Sequence, residues 1–304
     1  MSNKRKTRNK ELLHIRKMVQ SRNEGFDGEL EKRYEKYRGI LENLTIMSDV
    51  FMRNVLKKQE CTEYILRVIM GKKDLQLIDQ VLQKDYKNLQ GRSAILDCIA
   101  VDAERKRYNI EIQQDTRGAS PERARYHSSL MDVNMLEAGH GFEELPESYV
   151  IFITRNDALR NGLPIFHVKR KIEETGEDFG DRSHIIYVNA ACQEDTELGR
   201  LMHDLNCKEA AKMHSTVLAQ RVRELKETKK GVEMMCQEMD QIYSEGAEYG
   251  REYGRQEGIE IGEMKKARET ALSLAHMGMS PDKIAQAVGV SPQKAEDWIR
   301  EGNG

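Results

Sequence analysis

Two acidic side chains on neighbouring apolar segments are the residues of this sequence best suited to chemistry. Asp97 lies within the apolar run AILDCIAV, and Glu111 and Gln113 lie in the run YNIEIQQ that follows. The six-residue connection DAERKR has the length of a turn between antiparallel strands. In the second run, polar residues alternate with apolar ones at the period of a β-strand. The pattern predicts a hairpin that brings Asp97, Glu111 and Gln113 to one side.

The register of this hairpin follows from the polar pattern. If the polar side chains share a face, Asp97 lies opposite either Glu111 or Gln113, and the two acids come within roughly 5–8 Å. A slip of one residue would bury the acids among apolar side chains, so the pattern itself selects the register. The residues expected on the opposite, dry face are Leu96, Cys98, Ala100, Ile110 and Ile112.

Two carboxylates this close require a compensating charge. At about 5 Å they repel by roughly 3 kcal/mol at an effective dielectric of 20. A shared proton or a cation offsets this repulsion. Hard cations such as Mg²⁺ take oxygen ligands, commonly one or two carboxylates with water and phosphate, and the carbonyl of Ile112 is a further candidate ligand. The alternative is an ion pair with the basic residues 105–107, which lie in the turn, beyond the reach of mid-strand acids.

Composition sets the protein class. The chain has 304 residues with 49 basic and 51 acidic side chains, so the net charge of −2 gives no global attraction to nucleic acid or membrane. The five cysteines are widely spaced and form no C-x-x-C motif, which favours reduced thiols. The eight histidines lack a metal-binding motif and are interpreted as ordinary polar or core residues. With no apolar run of about 18 residues, we expect a cytoplasmic protein without a membrane segment.

The elements around the hairpin are predicted from periodicity and capping signals. Residues 48–70 show apolar residues at helical spacing and are expected to form two helices. A further helix is expected to begin at Ser120 and Pro121, which are an N-cap and a first-turn residue. The remaining predicted strands are LQLIDQVLQ (75–83) before the hairpin, and YVIFIT, PIFHVKRK and HIIYVNA after it.

The chain after Asp195 is predicted to be helical. Five glycines recur at every fourth residue between 246 and 262, a costly stripe for a lone helix at about 1 kcal/mol each. Either the stripe packs closely against another backbone, such as a second copy of the chain, or the segment is only partly helical.

Residues 280–300 have the spacing of a helix-turn-helix. Because Glu296 and Asp297 lie on its second helix, a helical packing module is favoured over a DNA reader.

The first twenty residues hold seven basic side chains and a single acid, Glu11. Such an arm either contacts phosphates or is a solvated terminus, and we favour the latter.

Four stretches in order, SDVFMRNVL, ILDCIAV…YNIEIQ, ERARYHSSL and YVIFIT, resemble the PD-(D/E)XK nuclease family transposases, which include the recombination-promoting nuclease (Rpn) group. The glycine-stepped tail and the terminal helix pair are also similar to this family, so the resemblance covers roughly residues 44–300. It implies an α/β, restriction-endonuclease-like core at 44–195, with a mixed central sheet flanked by helices. A basic, helical N-terminal extension (1–43) and an all-helical C-terminal region (196–304) would flank this core.

The resemblance also implies an activity, a cofactor and partners. It predicts a DNA endonuclease associated with mobile elements or recombination, with Asp97 and Glu111 as ligands of Mg²⁺ or Mn²⁺. Gln113 occupies the position of the usual lysine, where it can only hydrogen-bond or orient the attacking water. The tail would support a homo-oligomer. The alternative is a catalytically decayed protein of the same fold that binds DNA or self-assembles.

The helices contribute the remaining candidate residues. Arg123 and Tyr126, one helical turn apart, are similar to helix residues of the family and are expected to contact substrate. The alternative for Arg123 is a surface ion pair. His127 stands where the family often has a second aromatic residue. Asp49 is a further candidate, as the acid of the first helix, but simple helix capping after Ser48 is the favoured explanation.

Overall fold

The computed structural model describes residues 31–86 and 94–302. The basic arm of the first twenty residues lies outside these described residues. The chain divides into two compact units, with the boundary between Met239 and Asp240. None of the helices in the described ranges is long and apolar enough to cross a membrane.

The predicted strands and helices are present. The first unit contains α1 (31–43), α2 (Asp49–Leu56), α3 (Gln59–Met70), β1 (Leu77–Tyr86), β2 (Ala94–Asp102), β3 (Arg107–Gln113), a 3-10 turn (Thr116–Ala119), α4 (Pro121–Met135), β4 (Ser148–Thr154), β5 (Ile165–Val168), β6 (Ser183–Asn189), α5 (Glu197–Asn206) and α6 (Thr216–Glu227). Helix α7 (Lys229–His276) begins in this unit, and α8 (Pro281–Val288) and α9 (Pro292–Gly302) follow it.

The six strands form one mixed sheet in the order β1-β2-β3-β4-β6-β5. Strands β1, β2 and β3 pair antiparallel, β3, β4 and β6 pair parallel, and β5 pairs antiparallel with β6. The hairpin therefore lies next to the parallel part of the sheet, and β3 is an interior strand. This arrangement confirms the predicted mixed central sheet.

The hairpin has one of the two registers expected from the sequence. Cys98 pairs with Ile110 and Ala100 with Tyr108, so continuing the same register places Asp97 opposite Glu111. The connection between the strands is closed by Asp102, whose Oδ1 accepts a hydrogen bond from the Lys106 N–H at 2.8 Å. A side-chain oxygen accepting from a nearby backbone N–H is a common way to close a turn.

Helices cover both faces of the sheet, so β3 has no wet face. One cluster of buried side chains joins the sheet to α1, α2, α3, α5, α6 and the start of α7. A second, smaller cluster joins the other face to α4. Glu111 and Asn109, on the polar side of β3, are both 0% exposed. The polar side of the hairpin is therefore a buried surface beneath α4.

One expectation for the dry face is wrong. Cys98, Ala100, Ile110 and Ile112 lie in the larger cluster as predicted, but Leu96 packs in the cluster beneath α4. Strict alternation would put residues 96 and 98 on the same face. The alternation is interrupted at Asp97, where the ladder to β1 is irregular: Leu82 pairs with Cys98 and Lys84 with Leu96, and Gln83 between them has a left-handed φ of 50°.

The glycine series of the second unit is helical throughout, so of the two alternatives left open by the sequence the partly helical segment is not found. All five glycines, Gly246, Gly250, Gly254, Gly258 and Gly262, lie in α7. A Cβ atom built on any of them meets nothing within 4 Å. Within the described chain, the stripe is therefore open surface.

The terminal helix pair forms as predicted, with Gly289 at a left-handed φ of 71° between α8 and α9. Its buried residues pack with Ala271 of α7. The cations of α9 are engaged locally: Arg300 pairs with Asp297 at 2.6 Å, and the Lys294 ammonium lies 5.7 Å from the Trp298 ring centroid. These contacts agree with a helical packing module.

Candidate active site

The two acids meet where the β2–β3 ladder ends. Beyond the pair Cys98–Ile110, each acid hydrogen-bonds to the backbone of the opposite strand. The Asp97 N–H donates to Glu111 Oε1 at 3.3 Å, and the Ile112 N–H donates to Asp97 Oδ2 at 3.4 Å. The carboxylates thus replace two backbone acceptors and are held between the strands.

The electrostatics of the pair are unfavourable without a further charge. Burial, then the negative charge of Glu111 and then that of Asp49, raise the pKa of Asp97 from 3.8 to about 7. Glu111 Oε2 is buried and accepts no hydrogen bond from any residue that the structure describes. A buried carboxylate oxygen without a donor costs free energy, so the site is incomplete with the described protein atoms alone.

Among the described residues, the arginine that pairs with Glu111 comes from α4 and not from the turn. Arg123 Nη2 lies 3.6 Å from Glu111 Oε2, and His127 Nδ1 lies 3.5 Å from Oε1. The Arg123 Nε–H donates to His127 Nε2 at 3.3 Å, which ties the two side chains together. Ser120 fixes the start of the helix by accepting a hydrogen bond from the Arg123 N–H, so the predicted cap is confirmed.

The basic residues of the turn have other roles. Lys106 pairs with Glu147 at 3.0 Å and with Glu104 at 3.1 Å. Arg105 adopts a left-handed φ of 64° in the turn. Among the described residues, no ion pair joins Arg105, Lys106 or Arg107 to Asp97 or Glu111, so the alternative of a salt bridge from the turn is not found.

Gln113 lies beside the 3-10 turn that follows β3. A Cβ atom built on Gly118 would be 2.3 Å from Gln113 Oε1 and 3.7 Å from Arg123 Nη1. The amide of Gln113 thus occupies the space that a side chain at position 118 would fill. The side chains of Gln113, from β3, and of Arg123, from α4, therefore both lie beside Gly118.

The other candidate residues are placed as follows. Asp49, in the first turn of α2, accepts a hydrogen bond from Arg53 at 3.2 Å, and its charge raises the pKa of Asp97. Ser48 precedes the helix but makes no side-chain capping hydrogen bond. Tyr126 is half-buried and packs against the smaller cluster, so its role in substrate binding stays a prediction.

Sequence reasoning missed the polar network beneath α4. His127 is buried, and its Nδ1 lies 3.4 Å from the Asn109 amide nitrogen. The available signal was that Asn109 and Glu111 share a face of β3 while Arg123 and His127 share a face of α4. Those two patterns did not show that the faces meet.

A second set of metal-binding residue types lies apart from the two strands. The ligand atoms of His203, Asp204 and His214 all lie within 4.8 Å of one another. None of the three belongs to the hairpin.

The comparisons with known proteins concern the first unit and the start of the tail. The family profile described as PD-(D/E)XK nuclease family transposase matches residues 56–249, which include β2, β3 and α4. No curated protein and no solved structure matches the chain at a significant level. Because the match covers more than half of the chain and contains the Asp97–Glu111 hairpin, the chain belongs to the PD-(D/E)XK nuclease family transposases.

Proposed function

We propose that the protein is a divalent-metal-dependent DNA endonuclease that hydrolyses phosphodiester bonds and acts on mobile elements or in recombination. The observation that carries the proposal is the buried Asp97–Glu111 pair, in which Glu111 Oε2 accepts no hydrogen bond from a described residue and has only the Arg123 guanidinium nearby, at 3.6 Å. PD-(D/E)XK nucleases generally use divalent metals. A cation between the two acids would relieve their repulsion and satisfy the orphaned oxygen, so the residues fit Mg²⁺ or Mn²⁺.

Each residue around the acid pair has its own proposed role in the reaction. Asp97 and Glu111 would hold the cation, which supplies a Lewis acid and lowers the pKa of bound water. Arg123, whose side chain is 42% exposed, lies between Glu111 and solvent and is suited to contact a substrate phosphate. The Gln113 amide would orient the attacking water by hydrogen bonding, since it carries no charge.

The proposed partners are DNA and a second copy of the chain. The DNA partner follows from the proposed reaction. The homo-oligomer is supported by the glycine stripe of α7, which presents bare backbone to solvent. The proposed division into an N-terminal extension (1–43), a nuclease core (44–195) and a helical tail (196–304) assigns catalysis to the core and assembly to the tail.

Plasmid nicking tests the reaction. The wild type should convert supercoiled plasmid to nicked or linear DNA with Mg²⁺ or Mn²⁺ and leave it intact with EDTA. Asp97→Ala should abolish conversion, because it removes one of the two proposed ligands. Cleavage that survives both Asp97→Ala and Glu111→Ala would overturn the assignment.

The rival is the decayed protein that binds DNA or self-assembles. It is supported by Arg123, which already neutralises part of the Glu111 charge, and by Gln113 in place of lysine. It predicts no cleavage with either metal, together with DNA retention that weakens as salt is added. If the protein only self-associates, we expect no DNA affinity even at low salt.

The position of Gln113 can be tested without altering Gln113 itself. Gly118→Ala should displace the Gln113 amide, because the added Cβ would lie 2.3 Å from its Oε1. We expect cleavage to fall about 10-fold, less than the roughly 100-fold that loss of a positioned catalytic group costs, because the amide is displaced and not removed. Unfolding free energy should change by less than about 0.5 kcal/mol, since the side chain that moves is flexible.

The control is the same substitution in a Gln113→Ala background. There the amide is already absent, so Gly118→Ala should add no further loss of cleavage. Equal losses in both backgrounds would show that position 118 acts independently of Gln113.

A further inference from the structure

Helix α5 and the segment before α6 bring His203, Asp204 and His214 together. Asp204 is fully buried, and its carboxylate accepts hydrogen bonds from two backbone N–H groups, those of His214 at 2.8 Å and Ser215 at 2.7 Å. These bonds fix the segment before α6 against the last turn of α5. The imidazoles of His203 and His214 are thereby held close to one carboxylate and to each other.

The spacing of the three side chains suits a transition metal. His203 Nδ1 lies 3.2 Å from Asp204 Oδ1, and the two imidazole rings are 4.8 Å apart in an edge-to-face arrangement. Zinc bonds of about 2.0–2.1 Å at tetrahedral angles place ligand atoms about 3.3–3.5 Å apart. The pair His203–Asp204 is close to this spacing, and His214, which is exposed, can close the remainder by rotating its side chain.

A cavity of about 420 Å³ reaches this cluster at His214. It is lined by Tyr64, Arg67, Val68, Lys73, Glu197, Arg200 and His214. Two of the three cations in the lining are already paired, Arg67 with Glu63 and Arg200 with Asp195. The acids Glu197 and Asp204 then outweigh Lys73, so the local charge does not oppose a divalent cation.

We propose that His203, Asp204 and His214 bind a divalent transition-metal ion of the zinc class, with water from the cavity in the fourth position. Two imidazoles and one carboxylate favour Zn²⁺ over Mg²⁺, which prefers oxygen ligands. The hydrogen bond from the His214 N–H to Asp204 Oδ1 fixes the backbone at His214 next to the proposed carboxylate ligand. The proposal goes beyond the nuclease activity and uses none of the hairpin residues.

The test is calorimetric titration of Zn²⁺ into the full-length chain carrying Asp97→Ala and Glu111→Ala, so that the hairpin acids contribute nothing. We expect one Zn²⁺ per chain, and binding at least about 10-fold weaker after either His203→Ala or His214→Ala. Both histidine variants leave Asp204 unchanged, because replacing Asp204 would remove hydrogen bonds that the fold needs. Mg²⁺ in place of Zn²⁺ should give no saturable binding.

Matched controls separate this site from other metal-binding groups. His167→Ala, an exposed histidine on β5, should leave Zn²⁺ affinity unchanged. The double variant Cys192→Ser and Cys207→Ser should also leave it unchanged, because neither thiol is among the three proposed ligands. Absence of saturable Zn²⁺ binding, or binding that survives both histidine variants, would overturn the proposal whether or not the protein cleaves DNA.

Discussion

Replacing Glu111 with glutamine is expected to lower Mg²⁺-dependent DNA cleavage by about 10³-fold. The variant keeps the size of the side chain but removes one of the two charges that would hold the metal. Such a loss corresponds to about 4 kcal/mol of transition-state stabilisation, within the several kcal/mol that a catalytic metal supplies. Asp97→Asn should have an effect of the same size. Initial rates of plasmid nicking over a range of Mg²⁺ concentrations measure both.

The loss should lie in the chemical step and not in DNA binding. In EDTA, Glu111→Gln should bind DNA as tightly as the wild type or more tightly, because a negative charge has been removed near the proposed phosphate site. Asp79→Asn, an exposed carboxylate on β1, is the matched control and should cleave like the wild type. Residual cleavage by Glu111→Gln within about threefold of the wild type would contradict a metal-binding role for this carboxylate.

The hairpin was predictable because its signal is local. A six-residue connection joins the two predicted antiparallel strands, and the polar pattern restricts their register to two choices. The observed register, with Cys98 opposite Ile110, is the one of those two choices that sets Asp97 opposite Glu111. The pairing order of the sheet, by contrast, joins β3 to β4 and β4 to β6 across long intervals of sequence, and periodicity carries no information on that order.

The environment of the two acids was not predictable from the strands alone. Alternation on β3 was expected to mark a wet face, yet Asn109 and Glu111 are fully buried because α4 packs over them. Local pattern predicts that a helix begins at Ser120, but not which sheet face it covers. The same limit applies to Leu96, because the strand pattern does not show the backbone irregularity at Gln83, which lies opposite Asp97 and has a left-handed φ of 50°.

The position of Arg123 bears on the departure from the family pattern at Gln113. A lysine at position 113 would bring a positive charge towards the phosphate from β3. Here a positive charge comes from α4, and Arg123 and Gln113 lie beside the same glycine, Gly118. We infer that Arg123 supplies the charge that glutamine lacks, which requires the helix to be fixed as Ser120 fixes it. Arg123→Gln should therefore be more damaging to cleavage than Gln113→Ala.

In the absence of metal, Asp97→Asn is expected to raise the melting temperature at pH 8 and to leave it nearly unchanged at pH 4. The pKa of Asp97 is raised from 3.8 to about 7 by burial and by Glu111 and Asp49. Between these values the folded protein binds more protons than the unfolded chain, so this group's contribution to stability falls as pH rises from about 4 to 7. Above pH 7 the wild type holds an ionised Asp97 at a cost on the order of 4 kcal/mol, because each pKa unit is worth about 1.4 kcal/mol. Removing that charge should raise the melting temperature by about 8–16 °C.

Mg²⁺ should reverse the difference, because it binds the ionised form that burial disfavours. At pH 8 it should raise the melting temperature of the wild type but not of Asp97→Asn.

Since protons and metal compete for Asp97, Mg²⁺ affinity should weaken about 10-fold per pH unit below pH 7. Thermal unfolding at pH 4, 6 and 8, with Mg²⁺ and with EDTA, measures all of these effects, with Asp79→Asn as the control. If Asp97→Asn instead lowers the melting temperature equally at every pH, the carboxylate stabilises the fold through its hydrogen bond to Ile112, and the pair is not a site held ready for a cation.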